Sequence, residues 1–275
     1  MPVRPILLSA LLAGLAAAPA GAEGKAVQLA PHRAVYDLSL LRSGGSGGLE
    51  NARGRIAIEF GGDACEGYTT KFRQVTILES NESRPRTIDT RTTTFEAGDG
   101  GSFRFKTDSR DGRAEEAVDG EATSRDGSLS IRLTQPKPES LQVRAQPVFP
   151  SAHMKRLIEA GQAGRSALSI QVFDGSDDGK KVYDTYAVIG RRIEPGAGAE
   201  VEKPAGQDAK ARLPRWPVSI SYYKAGAGDQ TPVYTLSFDL YENGISRALK
   251  LDYGDFALKG DLQSLEVSAA GACRR

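Results

Sequence analysis

The chain has 275 residues, with 36 lysines and arginines against 35 aspartates and glutamates, two histidines and two cysteines. Charges of both signs are interspersed and nearly cancel, which excludes the basic footprint of a nucleic-acid binder and the polybasic segment that holds anionic lipid. His32 and His153 stand far apart with no ligand-like spacing around either, so no metal and no cofactor is expected.

Residues 1–22 read as a secretory leader. Arg4 precedes an apolar run over 6–18, and Ala20-Gly21-Ala22 has the small-x-small form of a cleavage site. Ala18-Pro19-Ala20 offers a second such site. An uncleaved anchor is the rival reading, but the run is too short to span ~30 Å of hydrocarbon as a helix. The first cysteine is Cys65, so there is no lipobox, and no later run reaches transmembrane length. Residues 23–275 are therefore expected to be one periplasmic domain that is not an integral membrane protein. Loss of Arg4 balances its charges. That compartment is oxidising, and a single pair of cysteines there means one disulfide, Cys65 with Cys273.

The first clean period follows Pro31. Ala34, Tyr36, Leu38 and Leu40 fall on one side, and Arg33, Asp37 and Ser39 on the other, as in an amphipathic strand. A Gly/Ser loop over 43–48 separates it from a second strand with Ile56, Ile58 and Phe60 inward. The strand over 68–77 changes apolar parity between Phe72 and Val75, which predicts a bulge or a move from one packing surface to another. Further strands are expected over 87–95, 102–107, 115–122 and 129–133, the last ended by Pro136 and Pro138. Asp111-Gly112, Asp119-Gly120 and Asp126-Gly127 read as hairpin turns between them.

One short helix interrupts the pattern over 152–160, with Ser151 as its cap, Gly161 at its C′ position and Met154, Leu157 and Ile158 on one face. Leu168, Ile170 and Val172 resume the alternation. The segment 181–189 is apolar on both faces and predicts a central strand covered on both sides. Residues 194–212 have no period and read as a mobile surface loop or a linker, dispensable for folding. Trp216 to Tyr222, Tyr234 to Leu240 and Leu249 to Tyr253 complete a set of about a dozen strands, with Asn243-Gly244 as a hairpin turn and one or two more strands over 255–267.

Nothing here assembles a catalytic site. There is no Gly-x-Ser-x-Gly elbow, and Glu115-Glu116 and Asp177-Asp178 are adjacent residues that point apart or sit in solvated turns. His32 reads as a hydrogen-bonded turn histidine and His153 as a partly exposed helix residue. The aromatics Trp216, Tyr222, Tyr223, Tyr234, Phe238, Tyr241 and Tyr253 read first as a β-core and its rim. A curved sheet that fails to close would let them line an apolar groove instead.

The stretch Leu29-Ala-Pro-His-Arg-Ala-Val-Tyr-Asp-Leu after an export leader resembles the start of the EipB family of α-proteobacterial periplasms. Cys65, Cys273, Phe149-Pro-Ser-Ala-His-Met154, Tyr241-Glu-Asn-Gly-Ile245 and Leu251-Asp-Tyr-Gly-Asp-Phe256 carry the same resemblance across the mature chain. It implies a β-spiral, a long curved antiparallel sheet similar to the lipoprotein carriers LolA and LolB, with one disulfide. It also implies a role in envelope integrity under stress, a link to periplasmic tetratricopeptide-repeat proteins, and no enzymatic activity. Two functions follow. One is a non-catalytic protein, a monomer, that holds a protein partner, a lipid or a lipoprotein in a groove; its ligand-binding residues stay unassigned. The other is an enzyme acting on an envelope component with scattered catalytic residues.

Overall fold

The computed structural model describes residues 26–44, 48–81, 83–197, 202–207, 212–226 and 231–269. The leader expected over 1–22 and Cys273 lie outside the described residues. The chain opens with β1 (His32–Ser43), β2 (Leu49–Asp63), β3 (Gly67–Ser80) and β4 (Ser83–Glu96). A second run of strands follows: β5 (Ser102–Asp111), β6 (Ala114–Arg125), β7 (Ser128–Gln135) and β8 (Glu139–Val143). Helix α1 (Pro150–Gln162) leads to β9 (Ala167–Val172) and β10 (Tyr183–Ile189). A second short helix, α2 (Lys203–Gln207), was not expected, and it precedes β11 (Arg215–Lys224), β12 (Tyr234–Tyr241), β13 (Ser246–Asp252) and β14 (Phe256–Val267).

The strands form one fourteen-stranded antiparallel sheet in the order β8-β7-β6-β5-β4-β3-β2-β1-β14-β13-β12-β11-β10-β9. This is the curved all-β sheet expected. It does not close, because β8 and β9 are its two free ends. They come near each other all the same. Val148, just after β8, bridges Val172 on β9 in parallel, and Lys180 Nζ meets Glu139 Oε2 at 2.6 Å.

The opening strand sits at the middle of this sheet. Tyr36 stands opposite Ile56 on β2 and Leu262 on β14, and its side of β1 is buried as the alternation predicted. The concave wall carries two cores. The larger joins β1 and β2 to β10–β14 and to Leu157 and Ile158 of α1. The smaller gathers Phe103 and Phe105 of β5 with Phe149 and Phe173, whose rings stack or meet edge to face.

Several local expectations change. The ladders of β3 run through Phe72 and Val75 without a shift, so there is no bulge. Phe72, Gln74 and Thr76 share the concave face, and the parity break is polar side chains on the inner wall. Asp119-Gly120 is no turn. It lies inside β6, where a Cβ on Gly120 would meet Leu133 Cδ2 and Arg132 O at 2.8 Å, so this glycine serves close packing. The segment expected as a central strand is β10, next to the edge. Only its Tyr183, Thr185, Ala187 and Ile189 side is buried, and Tyr186 and Val188 are 46% and 51% exposed.

Helix α1 starts at Pro150, two residues earlier than Ser151 would set it as a cap; its cap residue is Phe149, and it makes no side-chain cap of its own. Its free N–H groups are satisfied from a distance: Ser151 N and Ala152 N donate to the two carboxylate oxygens of Glu96, the last residue of β4, at 2.6 and 2.9 Å. Gly161 lies inside the helix. A Cβ there would stand 2.9 Å from Trp216, so it lets α1 press onto the indole, and Gly164 takes the left-handed turn instead.

Within the supposed loop over 194–212, the described residues 202–207 are structural. Strands β13 and β14 pair only where Leu249–Asp252 faces Ala257–Gly260, and beyond that the sheet parts. Glu202 fills the seam. Its Oε1 accepts from Ala248 N at 3.2 Å and Leu262 N at 3.1 Å, and its Oε2 accepts from Arg247 at 3.0 Å. Arg247 and Arg215 both bind Asp239, and Ala205 of α2 is buried in the larger core. One carboxylate in an aperiodic stretch leaves no hydrophobic signal, which is why the reading missed it. Glu202→Ala is expected to cost roughly 2–3 kcal/mol, since it takes one of two carboxylates from a buried arginine and strips two N–H groups of their acceptor. Urea unfolding measures this, and hydrogen exchange at Ala248 and Leu262 should quicken. Unchanged stability would mean the segment only covers the seam.

Candidate functional site: an apolar groove at the start of the helix

The recess best suited to an apolar ligand is a cavity of about 180 Å³ between the first turn of α1, the inner faces of β1–β3 and the β12–β13 turn. Tyr36, Ile58 and Phe60 form its floor, Met154 and Pro150 its lid, and Asn243 and Gly244 its rim. Each wall follows from an earlier constraint. The period-2 pattern turns Tyr36, Ile58 and Phe60 inward, and Glu96 holds the first turn of α1 over them. The tight turn at Asn243-Gly244 brings the rim onto Leu29. The helix face divides: Leu157 and Ile158 are 1% and 0% exposed in the core, while half-buried Met154 alone reaches the groove.

The polar groups of this groove are already engaged. His32 begins β1, as a residue flanking that strand; its Nδ1 donates to Ala30 O at 2.8 Å, and burial lowers its pKa, so the ring is neutral near pH 7. The Tyr36 hydroxyl donates to Ser246 O at 2.7 Å, and burial raises its pKa. Burial pushes the Glu96 carboxyl up, against the helix N–H groups that favour its charge. Among the described residues no cluster of three or more His, Cys, Asp or Glu side chains could hold a metal ion.

The residues singled out beforehand fall elsewhere. Cys65 lies in the exposed turn after β2, where Cys65 N and Glu66 N donate to Asp63 Oδ1. Trp216, Tyr222 and Phe238 are core, and Tyr241 is buried beneath Arg215. The groove's own key groups, His32, Phe60 and Met154, were visible only as separate pieces of pattern. Their convergence depends on Glu96, which no local signal identifies.

His153 corrects its reading as partly exposed. It is 4% exposed, its Nε2 has no hydrogen-bond partner among the described residues, and burial lowers its pKa to about 4. An unfolded histidine titrates near 6.5, so the unfolded chain binds the proton first as pH falls. Stability is full above about 6.5 and is lost as pH drops toward 4, by about 3 kcal/mol at pH 4. His32 acts in the same direction. His153→Leu should flatten much of this decline in melting temperature between pH 7 and 4.5. An unchanged slope would show that other groups carry it.

No helix among the described residues is long and apolar enough to cross a membrane. Comparison with known proteins agrees with the fold. Residues 23–269 match the EipB-like family. The chain is 39% identical over 261 residues to the cell envelope integrity protein EipB of Brucella abortus strain 2308, covering 94% of this chain and 91% of that one. A crystal structure of a β-barrel-like protein of a domain of unknown function, also from Brucella abortus, superposes with a TM-score of 0.82 at 38% identity. That match covers 89% of this chain and all of the other. With its strand order, its unclosed sheet and this match over nearly its whole length, the chain belongs to the EipB-like family.

Proposed function

We propose that this protein is a non-catalytic periplasmic protein that maintains cell-envelope integrity by holding an apolar ligand, a lipid or a lipoprotein segment, in the groove under Met154. The observation that carries this reading is an apolar recess in which His32 Nδ1, the Tyr36 hydroxyl and the Ser151 N–H are bonded to the scaffold, which suits binding better than acid–base chemistry. The name of the Brucella abortus relative supports the envelope role, and the leader-like residues 1–22 support export. The family resemblance adds a periplasmic tetratricopeptide-repeat protein as the partner. The exposed Tyr186 and Val188 on β10 give such a partner apolar ground.

Protein purified from the periplasm of its own host should carry a hydrophobic molecule in native mass spectrometry. Met154→Asp, which puts a charge at the groove, should lose that mass and keep the fold. A wild-type protein with no bound mass, or a variant that retains it, would sink the proposal.

We also propose the disulfide between Cys65 and Cys273. His32 pairs with Phe60 on β2 and with Val267 on β14, and Ser268 N donates to Pro31 O, so the chain's end leaves the sheet beside the strand that leads to Cys65. No free cysteine occurs among the described residues. A bridge closing so long a loop is worth on the order of 5 kcal/mol in the chain-entropy account, which native strain reduces. Cys65→Ala should lower the melting temperature and expose the C-terminal end to proteases. Two maleimide-reactive thiols in native periplasmic protein would rule the bridge out.

A further inference from the structure

The apolar groove under Met154 has one polar atom left over. His32 lines the groove and is held by one ring nitrogen, Nδ1, which lies 2.8 Å from Ala30 O. A carbonyl oxygen only accepts, so Nδ1 carries the hydrogen. A neutral imidazole has no second ring N–H, and Nε2 therefore presents a lone pair. Burial lowers the His32 pKa and keeps the ring in this form near pH 7. Nε2 has no hydrogen-bond partner among the described residues, and it is not sealed off from solvent.

The ring is fixed in place. Ala30 N donates to Asn243 O at 2.9 Å, which ties Ala30 to the β12–β13 turn, and Ala30 O in turn holds Nδ1. Phe60 flanks the imidazole with ring centroids 5.7 Å apart, and Phe60 itself stacks on Tyr68 at 5.4 Å. His32 is only 9% exposed, and it forms part of the wall of the recess.

The other walls restrict the occupant further. Among the described residues no side chain lining the recess carries a charge at neutral pH, and the N–H groups of Ser151 and Ala152 are spent on Glu96. A carboxylate or a phosphate would enter without a counter-charge, which is costly. The volume of about 180 Å³ is close to the ~150 Å³ void that accepts one benzene ring. Tyr36, Phe60 and His32 give this space aromatic walls, on which another ring packs well. An apolar group with no donor would cover Nε2 and leave its lone pair unsatisfied.

We propose that His32 Nε2 sets the specificity of the groove by accepting a hydrogen bond from an uncharged, ring-sized group that carries a hydroxyl, a phenol in chemical class. The inference rests on the groove being the ligand site, and it adds which part of the ligand the groove reads. The ring of that group fills the recess beneath Met154, and its hydroxyl donates to Nε2.

Isothermal titration of the full mature protein tests this with two probes, p-cresol and its methyl ether p-methylanisole, which has the same ring and no donor. p-Cresol should bind ~5-fold more tightly. His32→Phe keeps a ring beside Phe60 and removes the acceptor, so the two probes should bind it alike. In nitrogen NMR spectra of the isotope-labelled wild-type protein, p-cresol should move the His32 Nε2 resonance toward that of a hydrogen-bonded nitrogen, and p-methylanisole should not. Equal affinity for the two probes, with both lost in Met154→Asp, would overturn the role of His32 and leave the apolar groove standing. Binding of neither probe, or binding that Met154→Asp leaves intact, would overturn the groove as the site and this inference with it. A preference for p-cresol that persists in folded His32→Phe would overturn the assignment to Nε2. If His32→Phe fails to fold, the Nε2 resonance decides, and a preference for p-cresol without that shift overturns the assignment.

Discussion

One buried carboxylate decides where the helix stands, and the helix decides which part of the concave wall becomes core. A sheet of fourteen strands presents far more inner surface than a single three-turn helix can cover. Glu96 holds the N-terminal N–H groups of α1 at the end of β4, and Gly161 lets the far end rest on Trp216. Between these two points Leu157 and Ile158 are sealed into the core. Just outside them, at Met154, coverage ends and the apolar groove begins. The groove is thus what a short helix on a long sheet leaves over.

The same sheet shows how backbone groups are satisfied where regular pairing fails. At the parting of β13 and β14, the exposed N–H groups of Ala248 and Leu262 find one carboxylate oxygen, and Arg247 neutralises its charge. At the free edge of β9, Val148 supplies a single parallel bridge. Buried peptide groups must find partners, and here side chains and irregular segments provide them.

Period-2 alternation made the strands legible, and β1 above all, because its apolar side faces a packed core. The helix was legible from Met154, Leu157 and Ile158. What escaped were features whose cause lies far along the chain. Glu96 caps a helix that begins with Pro150, Glu202 acts from a stretch without period, and Gly120 answers to Phe105 and Leu133 rather than to a turn. Polar inward residues such as Gln74 and Thr76 misled the reading in a different way. Apolar alternation reports faces only where the inward side chains are apolar, and β3 turns half-buried Gln74 and buried Thr76 inward. The groove itself was foreseen as a consequence of an unclosed sheet, but not its floor of Tyr36, Ile58 and Phe60.

The pairing of β1 with β14 has a kinetic consequence. Strands β2 to β8 each pair with their sequence neighbours, so that half of the sheet can form as a meander as it emerges. The first strand to appear cannot be finished in this way. One side of β1 docks on β2 early, while the other waits until β14, the final strand, is available. Such a contact between distant parts of the chain is slow to form. In the interval, the central strand of the finished sheet is an open edge with Ala34, Tyr36 and Leu38 uncovered, the kind of surface on which incomplete chains associate. Protection of the half-made molecule is thus needed most at its centre, and the last residues to arrive end that exposure.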